Sequence, residues 1–155
     1  MNMLQENNWL LSVGTFLPMV GVVLMMLMPK AQDQSVKLVA LVTSIATLAV
    51  GIYTAFKFDF NQAEKMQFVA NEKWISVIKS SYFIGVDGIS LPLYLLSMVI
   101  TLLVVIYSLD HVPSPGKPKA FFSLLLVLQT GMAGTFIAQD LILFFVFFEL
   151  VLSPM

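Results

Sequence analysis

Charge-free apolar runs alternate with polar connections along most of the 155 residues. Four of them, residues 9–28, 38–56, 89–109 and 120–138, each hold about 20 residues. At 1.5 Å per residue that length crosses the roughly 30 Å hydrocarbon core of a bilayer. The pattern therefore predicts four transmembrane helices. A further apolar run opens at Leu141 and reaches Met155, about 15 residues on, which is too short to span. After four full spans, it reads as a fifth helix in which the chain is cut. The predicted architecture is an all-α membrane protein, one polytopic helix bundle over residues 1–155 with four full spans plus the start of a fifth.

Local chemistry refines these elements. The first run is too long for the apolar region of a cleaved signal peptide, has Glu6 and no Lys before it, and ends in Met28-Pro29-Lys30 without a small-residue cleavage signal. Pro18 in its middle removes a backbone hydrogen bond and predicts a kink that neighbouring helices absorb. The second run is rich in Ala, Val, Thr and Ser, and the fourth carries Gly131 and Gly134. Small residues let membrane helices approach closely, so both are expected to present packing faces.

Residues 57–88 are the long polar connection, with Met66, Phe68, Trp74, Ile75, Val77 and Ile78 set among charges. This pattern predicts a short hairpin turning near Asn71-Glu72. Asp87 or Ser90 can cap the third helix, and Pro92 fits its first turn. Residues 111–119, with Pro113, Pro115, Gly116 and Pro118, read as a rigid turn.

Orientation follows from the short loops. Lys30 and Lys37 follow the first span, and Lys117 and Lys119 follow the third, so all four lie on one side. The N-terminal tail and Gln139-Asp140 lie on the other side and carry no Lys. Positive-inside counting puts the N-terminus outside and the long connection external, in the inner (plasma) membrane of a cell in preference to an organelle.

Composition narrows the chemistry. The chain is 59% hydrophobic and 11% charged, whereas soluble domains carry about 25% charged residues, so its environment is lipid. Its eight basic residues are all Lys, spread along a chain of net charge −1, which excludes nucleic acid as a partner. With no Cys and one His, no thiolate zinc site, disulfide or iron–sulfur cluster can form on this chain. No nucleophile–base constellation or phosphate loop is present, so any redox chemistry belongs elsewhere.

Glu149 is the one ionisable residue clearly inside an apolar run, flanked by Phe147, Phe148, Leu150, Val151 and Leu152. A carboxylate there costs at least a few kcal/mol, so it is protonated, paired with a cation or in contact with internal water, and each state serves proton transfer. The competing reading is a neutral Glu in an interhelical hydrogen bond. Pro154 cannot donate to the carbonyl of Leu150 and so breaks the helix one turn beyond the acid, leaving an acceptor for water. Gln129 can relay protons, but an intramembrane Gln more simply hydrogen-bonds a neighbouring helix. Asp140 reads first as the N-cap of the fifth helix and second as a proton exit. Asp87 reads as a cap, and His111 as a solvated loop residue. The Phe144–Phe148 run suits lipid and packing contacts.

Two segments, Phe83-Ile-Gly-Val-Asp-Gly-Ile-Ser-Leu-Pro-Leu93 and Gly131 through Met155, resemble the membrane-arm subunit M (chain 4) of proton-pumping NADH:quinone oxidoreductase, respiratory complex I. Antiporter-like subunits of sodium/proton antiporters share the Gly-Asp-Gly segment and the fifth-helix glutamate and are the nearest rival, with a purely structural membrane subunit as a third reading. The resemblance implies a bundle of about fourteen helices with half-channels around broken helices. Glu149 would pair with a lysine on a later helix, and Asp140 is the nearest candidate for a second acid. It also implies other membrane-arm subunits as partners, no cofactor on this chain, and NADH, FMN, iron–sulfur clusters and quinone bound by partner subunits.

Overall fold

The computed structural model describes residues 9–29, 33–62, 64, 66–111 and 117–152. Among these residues five α-helices form: α1 (Trp9–Leu27), α2 (Asp33–Lys57), α3 (Ser90–Ser108), α4 (Pro118–Ile137) and α5 (Leu141–Leu152). The first four are long and apolar enough to cross a membrane, and α5 is a shorter apolar helix. The spans fall where the apolar runs place them, with two shifts. α2 starts five residues earlier than its charge-free run, because Asp33, in its first turn, complements the helix dipole and carries a polar turn beyond the apolar stretch. α4 starts at Pro118, whose missing N–H costs nothing at the first helical position, so the end of the expected rigid turn is helical. Residues 112–116 of that turn, and Pro154, lie outside the described residues.

The long connection folds into an antiparallel hairpin of β1 (Gln67–Ile75) and β2 (Ser80–Val86). Its turn is not at Asn71-Glu72, which pair within β1 with Phe83 and Tyr82. The chain reverses through a 3-10 turn at Ser76–Ile78, closed by Lys79 at φ 55° with its N–H on the Ser76 carbonyl. Asn-Glu lacks the glycine that a two-residue hairpin turn favours, so both residues stay in the ladder. Phe68, at φ 56°, sits where the register slips between Gln67 and Ala70.

α4 is the central helix, packing against α1, α2, α3 and α5. The buried residues of α2, namely Val36, Ala40, Thr43, Ser44, Thr47, Gly51 and Thr54, recur at intervals of three and four and form one stripe. Their small size permits close contact: a Cβ on Gly21 would meet Thr43 Oγ1 at 2.6 Å, and one on Gly51 would press on the Met98 sulfur. The buried apolar side chains form two clusters. One, including Leu10, Ile84, Leu91, Tyr94, Ile137 and Phe147, lies towards the hairpin end. The other, including Val22, Met25, Val36, Val105 and Phe122, lies towards the lysine-bearing end.

Candidate functional site

Between the two apolar clusters lies a polar layer. Pro18, Ser44, Thr47, Met98, Thr101, Leu126 and Gln129 line a narrow crevice there. Several hydroxyls of the bundle spend their proton on their own helix: Thr47 on the Thr43 carbonyl at 2.8 Å, Thr54 on Val50 at 2.9 Å and Ser97 on Tyr94 at 2.7 Å. Gln129, 2% exposed, accepts through Oε1 from Thr101 Oγ1, joining α4 to α3. Among the described residues its Nε2 is buried without a partner, as are Ser44 Oγ and Thr130 Oγ1. Pro18 withholds an N–H from the carbonyl of Gly14, and Gly14 is where the Tyr94 hydroxyl presses against α1. Sequence reasoning missed this layer except for Gln129, because Thr and Ser in an apolar run look like packing residues until α1–α4 converge.

α5 is set against α4 by two glycines. A Cβ on Gly134 would collide with the Phe147 ring, and one on Gly131 would meet the Val151 backbone nitrogen at 3.0 Å. Leu143 and Phe147 are consequently the buried residues of α5. Glu149, two positions after Phe147, is turned about 200° from it at 3.6 residues per turn and is exposed. It stands about 13 Å along the helix from Asp140, well inside the apolar run. Phe145, Val146, Phe148 and Leu152 are exposed beside it, and among the described residues it has no hydrogen bond or ion pair. Gln129 and Glu149 are therefore on different sides of the α4–α5 packing: one inside the four-helix layer, the other on the outward face.

Asp140 is held elsewhere. Its Oδ1 accepts from the Ile142 and Leu143 N–H groups at 2.9 and 3.2 Å and from Ser80 Oγ at 3.1 Å, while Oδ2 accepts from the Ser81 N–H at 3.2 Å. It thus caps α5 and ties β2 to that cap. Beside it the Gln139 N–H donates to Phe83 O at 2.8 Å and Ala138 bridges Ile84, so the α4–α5 corner adds briefly to the hairpin. The Ser81 N–H contact, followed by that of Leu143, holds the Asp140 carboxyl below its ordinary value. Asp87 acts similarly on α3: its Oδ1 accepts from the N–H groups of Ser90 at 2.8 Å and Ile89 at 2.9 Å, and the Ser90 N–H is the main cause of its lowered pKa. Tyr82 shares a 2.9 Å hydrogen bond with Ser12, joining the hairpin to α1, and burial raises its phenol. His111 stacks on Tyr107 at 4.4 Å and meets its carbonyl at 3.0 Å, although it is exposed.

An extramembrane hairpin fastened to one end of a bundle of bilayer-length helices, with a carboxylate borne on an apolar helix, defines a polytopic helical membrane protein. Residues 13–135 match the family described as NADH-ubiquinone oxidoreductase chain 4, amino terminus, and the chain belongs to that family. It is 35% identical over 146 residues to NAD(P)H-quinone oxidoreductase chain 4 of Prochlorococcus marinus, covering 93% of this chain and 26% of that protein. It is 34% identical over 112 residues to F(420)H(2) dehydrogenase subunit M of Methanosarcina mazei, covering 72% and 22%. It is 31% identical over 172 residues to NADH-quinone oxidoreductase subunit M of Mycobacterium tuberculosis, covering 94% and 31%. The chain thus spans about a quarter of the length of these relatives.

Proposed function

We propose that these helices are part of a proton-translocating membrane subunit of an NADH:quinone oxidoreductase, with Glu149 as a proton-transfer group. The observation that carries the reading is the placement of Glu149: an apolar helix, anchored by its Leu143/Phe147 side, turns a carboxylate to the opposite face. Such a group is neutral against lipid and ionised beside a cation, so moving a cation to that face unloads a proton and moving it away loads one. The lysine on a later helix that the family resemblance implies is suited to that role. Gln129 and Asp140 take the positioning parts their contacts support, joining α4 to α3 and α5 to the hairpin. The named relatives work with different electron donors, NADH, NAD(P)H and F420H2, while sharing this portion. What the portion contributes is therefore common to all of them, which suits ion movement and leaves NADH, FMN, iron–sulfur and quinone chemistry to partner subunits. The hairpin end faces outside and the Lys117/Lys119 end inside the inner membrane.

Infrared difference spectroscopy of the full-length subunit in its complex tests this reading. On addition of electron donor, a protonated-carboxyl band should change and be missing in Glu149→Gln, while Glu149→Asp shifts it. A spectrum identical in wild type and Glu149→Gln would overturn the assignment and favour a purely structural role.

A further inference from the structure

At the end of the bundle away from the hairpin, Met26, Asp33, Lys117, Pro118, Lys119, Ala120, Ser123 and Leu124 surround a cavity of about 640 Å³ that opens beside the exposed side chains of Met26 and Leu124. Its polar part is cationic. Lys119 Nζ donates to the carbonyls of Met26 at 3.1 Å and Met28 at 2.9 Å at the end of α1, which holds the ammonium at the rim and leaves the third of its N–H donors without a partner among the described residues. Lys117 precedes α4 without capping it, and Pro118 follows at the first helical position. The N–H groups of Lys119 and Ala120 consequently have no partner among the described residues and add the positive end of the α4 dipole. Ser123, 9% exposed, reaches the same cavity and forms no hydrogen bond among the described residues. Asp33 is the only acid among the described lining residues, so two lysines and a helix terminus outweigh it.

We propose that this cavity seats an anionic membrane phospholipid, with its phosphate against Lys117, Lys119 and the first turn of α4 and its acyl chains along Met26 and Leu124. The free donors match phosphate oxygens, and the apolar wall beside them, continuous with the lipid-facing surface, suits chains that a soluble anion lacks. The lipid would bridge the end of α1 to the start of α4, which the Lys119 contacts with Met26 and Met28 already join.

The test uses the full-length subunit in its complex, reconstituted in vesicles with phosphatidylglycerol bearing a photoreactive acyl chain, and maps the labelled peptides. Labelling at Met26 and Leu124 should compete with excess unlabelled phosphatidylglycerol and resist phosphatidylcholine and inorganic phosphate. It should fall about fivefold for each of Lys117→Gln and Lys119→Gln. Because Lys119 also anchors α1, Ser123→Phe provides a second variant that fills the cavity without changing charge, and it should abolish the label. Equal labelling by photoreactive phosphatidylcholine, indifference to the lysine and Ser123 variants, or displacement by inorganic phosphate would each overturn the proposal.

Discussion

Gln129 shows how one polar side chain is accommodated in an apolar bundle. Its carbonyl is spent on Thr101, while its amide nitrogen lies buried next to the crevice without a partner among the described residues. Removing only the donor, in Thr101→Val, orphans both ends of the amide, whereas Thr101→Val with Gln129→Leu removes the need for either bond. The single variant should therefore be less stable than the double, by about 1 kcal/mol, in thermal unfolding of the purified subunit. At Gly134 the limit is steric. Gly134→Ala puts a methyl into the Phe147 ring, and the ring is wedged against α1 through Phe16, with centroids 6.1 Å apart. This should cost about 1–3 kcal/mol, partly recovered by Phe147→Leu, as read by the same unfolding measurement. The glycine was visible in the sequence as a packing residue, but its partner was not, because a run of aromatics on α5 does not say which ring turns inward.

Among the elements, the helices were legible because a bilayer imposes one length on every span and charges mark the ends. The hairpin was legible as a hairpin, yet its turn was misplaced: the reversal rests on Lys79 in a left-handed conformation, which no glycine or proline signals. Asp140 was readable as a cap from its position before Leu141, but not as the tie to Ser80 and Ser81, residues 60 and 59 positions away. Asp140→Ala should therefore speed amide exchange at both Ser81 and Leu143, linking two distant segments in one variant; faster exchange confined to α5 would mean that the cap works without the tie. The acid dependence has a definite sign. Folded-state contacts hold the Asp140 and Asp87 carboxyls below their ordinary value of 3.8, so the stability they add is complete above that pH and is lost as pH falls through the lower folded value. Exchange at Ser81 should be flat from neutral pH down to about 4, after correction for intrinsic rates, and should rise only in stronger acid.

For the whole molecule, the arrangement separates two kinds of polar group. Hydroxyls and Gln129 occupy an internal layer between apolar clusters, while the carboxylate of Glu149 is sent to the outside of the same bundle by the way α5 packs on α4. The identity of that acid as the candidate group could be read from its apolar neighbours in the sequence. Its direction could not, since it depends on which side of α5 the two α4 glycines accept. Our central claim is that this outward carboxylate carries protons, and the most direct measurement is the proton yield of inverted vesicles during electron-donor oxidation, with full-length subunits assembled to equal levels in the complex. Glu149→Gln should slow proton transfer by about a hundredfold or more, with Glu149→Asp retaining part of the yield. Undiminished proton yield in Glu149→Gln would contradict it.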